Sequence, residues 1–280
     1  MNTKNCVYRF FERAKRNSNA PAHFTKINGS FVGKSWSHYA LQTELFAKGL
    51  LSLGHKKGQA LAILGFNRAE WIEGCIGVQA VGGVSAGIYT SCAAEDVKHV
   101  IGHSEAPFVL VENECKFNTQ VKPVLADLPN VRYIIMMQDA EKISDPRVIS
   151  MDKVKERGRT ISDEELSDRK NDISPEQTAT LIYTSGTTGR AKAVMLSHKA
   201  IEFTVSEAVS HLSVTDKDVL LSYLPLAHVA EQMFSVYAPI YSGAVIYFAE
   251  ALDKLPENLK EVQPTLFFGV PRVYEKFYEK

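Results

Sequence analysis

Apolar residues along this chain fall either at helical spacing or in short unbroken runs, and each pattern predicts a different element. Val7, Phe10, Phe11 and Ala14 fall at i, i+3, i+4 and i+7, one face of an opening helix. His23–Ile27 and Phe31–Ser35 flank Asn28-Gly29, a strong hairpin signal. Ser37 is placed to cap a helix running to about Leu53, with Leu41, Leu45, Ala47 and Leu50 inside it. Ala60–Leu64 is an unbroken apolar strand. Asn67 followed by Glu70 has the form of a capping box, and Trp71, Ile72, Cys75 and Val78 mark the inner side of the helix it would start. Val84–Tyr89, Phe108–Val111 and Val131–Met137 read as strands, with a helix through Glu95–Gly102.

Alternating strands and helices predict an α/β fold with largely parallel sheets flanked by helices. Between Gln138 and Pro175 the chain turns polar, as expected of a surface connection with one short helix. Order resumes at Thr178 with a strand, a loop, a second strand and a helix from about Lys199. Further strands are expected at Val219–Tyr223, Ala244–Phe248 and Thr265–Phe268, and Pro271 suits the first position of a helix. No repeat or internal domain boundary is visible.

Composition narrows the function classes. Lys+Arg and Asp+Glu both number 32, so no net field favours nucleic acid, and no nucleic-acid partner is expected. The four cysteines lack C-x-x-C spacing, which fits a reducing, cytoplasmic setting. Charge interrupts the N-terminus throughout, so no secretory segment is read there. Arg9, Arg13, Lys15 and Arg16 would also suit a weak mitochondrial presequence, but a docked helix is the preferred reading. The longest uncharged stretches, Gly74–Ala94 and Gln232–Ala249, are broken by Gly, Ser, Gln or Pro and read as buried units rather than spans. Peripheral contact with an intracellular membrane stays open.

The chemistry concentrates in TLIYTSGTTGRAKAVMLSH, Thr180 to His198. A triphosphate needs converging N–H and O–H donors, a mobile cation and close backbone approach. Gly186 and Gly189 permit that approach, Ser185, Thr187 and Thr188 add hydroxyls, and Lys192 adds a charge on a long stem. The spacing is not that of a Walker A loop. On residue type alone a polar surface turn explains the stretch as well.

Resemblance separates these readings. YTSGTTGRAK is similar to the phosphate loop of the adenylate-forming (AMP-binding) enzymes. LSYLPLAHVAEQ (Leu221–Gln232) resembles the family's next motif, and LFFGVPRVYEK (Leu266–Lys276) resembles a segment of long-chain and bubblegum-type acyl-CoA synthetases. GIYTSCAAEDVKHVIGHSEAPFVLVEN resembles the family's N-terminal half, so the likeness runs over nearly the whole chain.

This resemblance implies that residues 1–280 form part of the large N-terminal adenylation domain, without the small C-terminal domain. Thr184, Ser185, Gly186, Thr187, Thr188 and Gly189 would cradle the phosphates of ATP, with Lys192 neutralising the departing pyrophosphate. His228 would sit near the substrate carboxylate, and Gly269, Val270, Pro271 and Arg272 would line the route of the acyl chain or nearby nucleotide contacts. The implied reaction activates a long-chain fatty acid. Its carboxylate attacks the α-phosphorus of ATP to give acyl-AMP and pyrophosphate, and the CoA thiolate then attacks the mixed anhydride. Positioning and charge neutralisation would supply most of the first step. The implied partners are fatty acid, ATP with Mg²⁺, and CoA.

Two departures lie beside the loop. Ala191 stands where the family commonly has Pro, which frees φ, and Ala193 where it commonly has Gly, which would crowd a positive φ. No Tyr-Gly-x-x-Glu or Thr-Gly-Asp motif occurs, so the family's magnesium-holding Glu is missing and no metal ligand is assigned. The chain alone is therefore expected to be inactive or nearly so, the rest of the enzyme being supplied elsewhere. The alternative is a truncated, non-catalytic acyl- or nucleotide-binding relative. A minor alternative is a serine hydrolase, because Gly83-Val84-Ser85-Ala86-Gly87 matches G-x-S-x-G, although its helix-then-strand context is reversed.

Overall fold

The computed structural model describes residues 5–184 and 189–278. Ser185 to Thr188 lie outside the described residues, as does the side chain of Arg272. The expected opening helix is α1 (Cys6–Arg16), docked through fully buried Val7 and Phe10. The hairpin follows as β1 (Pro21–Ile27) and β2 (Ser30–Ser35), with Asn28 at φ 49° and Gly29 at φ 80°, the doubly positive turn that Asn-Gly favours.

Two sheets form. The larger has the order β7-β6-β5-β3-β4-β8-β9 and the smaller β10-β11-β1-β2. In the larger, β3 (Ala60–Leu64), β4 (Val84–Ile88), β5 (Phe108–Val111), β6 (Tyr133–Met136), β7 (Val148–Ser150) and β8 (Thr178–Thr184) run parallel, and β9 (Lys192–Ser197) returns antiparallel along β8. In the smaller, β10 (Val219–Ser222) and β11 (Val245–Phe248) are parallel to β1. Helices α2 (Trp36–Ser52), α3 (Ala69–Ala80) and α4 (Ala94–His103) alternate with the strands, and a short α5 (Glu114–Lys116) follows β5. Strands β3, β4 and β5 are buried on both faces, as parallel strands covered by helices must be. No described helix is long and apolar enough to cross a membrane.

Four expectations need correction. Ser35, not Ser37, caps α2, accepting the His38 amide at 3.2 Å, and Leu41 points outward at 52% exposure. Asn67 caps nothing: Arg68 holds the N-cap position of α3 without a side-chain bond, and Glu70 pairs with Arg68 at 2.8 and 2.9 Å instead. Residues 138–175 are no mere surface connection, for they supply β7, α6 (Met151–Gly158) and α7 (Asp163–Asn171). Their polarity misleads because Lys155, buried on α6, is neutralised by Glu73 at 2.7 Å and bonded to Gln42 at 3.0 Å. Lastly, Thr265–Phe268 joins β10 by the single bridge Leu220–Leu266. The Thr265 hydroxyl takes the Val219 amide at 2.9 Å and donates to Asp218 at 2.8 Å, where a backbone ladder would otherwise continue.

Helix α6 lies hard against α2 because two glycines face each other there. A Cβ on Gly49 would stand 2.2 Å from the Val154 carbonyl oxygen, and one on Gly158 only 2.1 Å from that of Leu45. After β9 come α8 (His198–His211), capped by Ser197, and then α9 (Val229–Gln232), a π-helical turn at Met233–Tyr237 and α10 (Ala238–Ser242). Helices α11 (Leu255–Val262) and α12 (Pro271–Tyr278) complete the described chain, with Pro271 opening α12 as expected.

Candidate functional site

Parallel strands β4 and β8 end side by side, and open α/β sheets bind ligands beyond such carboxyl ends. A cleft of about 600 Å³ lies there. Its walls come from the end of β4 (Gly87 to Tyr89), from α4 (Asp96, His99), from the end of β8 (Tyr183, Thr184), from Gly189 to Ala191, and from His228 ahead of α9. Thr184 and Gly189 therefore share one surface with His228, which is distant from both in sequence.

Gly189 has φ 137°, a conformation that only glycine adopts without strain, and nothing lies near its missing Cβ. Lys192 is the register partner of Thr184 across β8 and β9. Directly opposed residues of an antiparallel pair project to the same face, so Lys192 shares the face of Thr184 and is exposed, though it does not itself line the cavity. Ala193 sits inside β9 without a positive φ, so the crowding expected of its Cβ does not arise.

The turn that carries His228 is held from two directions. Gly87 lets it approach β4, since a Cβ there would stand 2.8 Å from the Cα of Ala227. His228 is the N-cap of α9, its Nδ1 accepting the Ala230 amide at 3.2 Å, and its ring is otherwise open to solvent. Three residues on, Glu231 is buried. Its Oε1 accepts from Ser222 Oγ at 2.6 Å, Ser235 Oγ at 2.7 Å and Asn67 Nδ2 at 3.2 Å. Asn67 also donates to Ser222 Oγ and to the Leu224 carbonyl, which ties the end of β3 to the segment leading to His228. Burial pushes the Glu231 carboxyl up to about 7, against the pull of its hydrogen-bond donors. Sequence reasoning missed this network, because Asn67 was read as a local cap and Glu231 lay inside a motif valued for its histidine.

Also missed were His99 and His103, although their i, i+4 spacing on α4 was visible. His99 Nε2 lies 2.7 Å from the Ala191 carbonyl oxygen, and His103 Nδ1 lies 3.0 Å from the Tyr183 hydroxyl. Both rings meet Tyr183 edge-on.

Gly269 to Pro271 lie apart from this cleft, beyond the end of β10. There Tyr223 donates to the Phe268 carbonyl at 2.9 Å and stacks on Phe267. The Ser85 reading is wrong. Ser85 is mid-strand in β4, paired with Leu61 and Thr180 on either side and wholly buried. Its Oγ bonds the Ala179 carbonyl at 3.4 Å, and a nucleophile elbow requires an exposed turn. Gly87, the last residue of that false motif, is glycine because Ala227 packs against it.

A model of the AMP-binding enzyme family matches residues 10–280. The chain is 39% identical over 253 residues to the long-chain-fatty-acid–CoA ligase ACSBG2 of Xenopus laevis, covering 88% of this chain and 34% of that one. It is 36% identical over 274 residues to ACSBG2 of Homo sapiens, covering 96% and 41%. It thus spans roughly two-fifths or less of the length of these relatives. Among solved structures, the N-terminal domain of FACL13 from Mycobacterium tuberculosis superposes with a TM-score of 0.75 at 22% identity, covering 97% of this chain and 64% of that one. The long-chain-fatty-acid-CoA ligase FadD1 from Archaeoglobus fulgidus gives 0.77 at 18% identity, covering 94% and 50%. These two show a shared fold, and the family match with the ligase relatives shows the rest: the chain belongs to the AMP-binding enzymes, with long-chain fatty acid–CoA ligases among its relatives.

Proposed function

We propose that this chain supplies the triphosphate-binding part and one wall of the acyl side of an ATP-dependent long-chain fatty acid–CoA ligase. The observation that carries the reading is the convergence of Thr184, Gly189 and His228 on one cleft, with Lys192 set opposite Thr184. In this reading the phosphates lie along Thr184 to Gly189, the Lys192 ammonium faces the pyrophosphate end, and His228 orients the substrate carboxylate toward the α-phosphorus. Gly269 to Arg272 would meet the acyl chain or the nucleotide farther out. Donors held in place stabilise developing charge better than water does, and the loop with Lys192 would act in that way.

Among the described residues no cluster of three or more His, Cys, Asp or Glu side chains forms a metal site. Any magnesium would arrive on the nucleotide's own oxygens, as is usual for that ion. CoA transfer and full turnover would draw on the length of the ligase relatives that this chain does not span. The test is ATP binding by calorimetry, with and without palmitate, together with palmitate-dependent ATP–pyrophosphate exchange. We expect binding, a loss of roughly tenfold or more with Lys192→Ala, and little or no exchange. Absence of ATP binding at millimolar nucleotide would overturn the proposal. Binding without any response to Lys192→Ala or palmitate would favour a non-catalytic nucleotide-binding relative.

A further inference from the structure

We propose that His99 is a positioning residue that clamps the exit of the phosphate loop. It thereby replaces, from outside the loop, the restraint that a proline at position 191 would supply from within. The proposal rests on the reading of Thr184 to Lys192 as a triphosphate site.

The geometry is specific. Ala191 lies between Gly189, which adopts φ 137°, and Lys192, the first residue of β9. An alanine at such a junction leaves the backbone free to rotate, whereas a proline would hold φ near −65°. In this chain the Ala191 carbonyl meets His99 Nε2 at 2.7 Å. A carbonyl oxygen only accepts, so His99 Nε2 bears the hydrogen and donates it. Helix α4 is a firm anchor, with Val97, Val100 and Ile101 buried in the core. The His99 ring is steadied in turn by its edge contact with Tyr183, whose hydroxyl is bonded to His103 at 3.0 Å and to the Val100 carbonyl at 3.4 Å. One helix thus holds the chain on either side of the loop, at β8 through Tyr183 and just ahead of β9 through Ala191. Because Lys192 follows directly, fixing the Ala191 peptide fixes where the lysine enters the sheet opposite Thr184.

The clamp accounts for how the chain tolerates Ala191. A loop that binds polyanion must be ordered beforehand, or binding is weakened by the entropy of ordering it. Ala191 does not adopt a positive φ, the region a proline cannot enter, so the backbone there is on the side of φ that a proline also takes. The two devices should therefore be interchangeable.

The experiment uses the 280-residue chain and four variants: His99→Phe, His99→Gln, Ala191→Pro, and His99→Phe with Ala191→Pro. Two readouts are taken, amide hydrogen exchange across residues 189–196 and ATP affinity by calorimetry. We expect His99→Phe to speed exchange there and to weaken ATP binding roughly tenfold, the loss of about one hydrogen bond. His99→Gln, which retains an N–H donor, should lose less. Ala191→Pro added to His99→Phe should restore both readouts. Unchanged exchange in His99→Phe overturns the clamp. Weaker binding with unchanged exchange also overturns it, since His99 would then be touching the nucleotide itself. Failure of Ala191→Pro to restore a loosened segment overturns the exchange of roles. If the unaltered chain binds no ATP, the triphosphate reading fails while hydrogen exchange still decides whether the clamp exists.

Discussion

Gly87 and Ala227 are in contact across the boundary between β4 and the turn that carries His228, so close that a Cβ on Gly87 would stand 2.8 Å from Ala227 Cα and 3.2 Å from Ala227 Cβ. The contact binds the floor of the cleft to one of its walls. Gly87→Ala must push the turn away. We expect a loss of about 1–3 kcal/mol in stability, read by urea unfolding, together with weaker ATP binding, because His228 moves with Ala227. Unaltered ATP affinity in a destabilised variant would separate the turn from the site.

Glu231 makes stability depend on pH in an unusual direction. Its carboxyl is raised to about 7 in the folded chain from an ordinary value of 4.5. Between these values the folded state holds a proton that the unfolded state has lost. The contribution is present below pH 4.5 and is lost as pH rises to 7. Glu231→Gln should flatten that part of the profile while retaining an acceptor for Ser222, Ser235 and Asn67. Glu231→Ala, which leaves those donors without their shared acceptor, should cost about 1–3 kcal/mol. An unchanged profile in Glu231→Gln would contradict the assignment.

Buried imidazoles act in the opposite sense. His23, His55 and His198 are each lowered to about 4, mainly by burial; the ring nitrogens of His23 and His198 have no hydrogen-bond partner among the described residues, while the Gln59 backbone pulls His55 the other way. Unfolding lets each bind a proton between roughly pH 6.5 and 4. Their contribution is present above 6.5 and is lost on acidification through that window. His23, between the rings of Tyr39 and Phe248, is the clearest test. His23→Phe should reduce the acid-side slope measured by urea unfolding from pH 4 to 7, and an undiminished slope would refute the account.

Gly158 should tolerate no side chain. Its missing Cβ faces the Leu45 carbonyl oxygen at 2.1 Å and the Gly49 amide nitrogen at 2.9 Å, both backbone atoms that cannot turn aside. Gly158→Ala therefore has to part α2 from α6, at a cost near or above the upper end of about 1–3 kcal/mol. A melting temperature within a degree of the original would show that the helices can shift freely.

Much of this architecture was legible in the chain. Apolar runs located β3, β5 and β8 closely, and Asn28-Gly29 foretold its turn. The loop around Gly189 and the turn at His228 were singled out by their resemblance to family motifs, because on residue type alone a polar surface turn explained the loop as well. Less visible was α6, where the buried Lys155 depends on Glu73, 82 residues away in sequence. Asn67 looked like a cap because its real partners, Ser222, Leu224 and Glu231, come from the far half of the chain.

By itself, then, the sequence determined the alternation of elements, the α/β class and the family, because periodicity, turn chemistry and motif spacing act over a few residues. Only the tertiary structure decided that Ser85 is sealed inside a strand, that Gly87 yields to Ala227, and that His99 meets Ala191. Those facts depend on which distant segments pack together, and neither a residue's own neighbours in sequence nor its propensity carries that information.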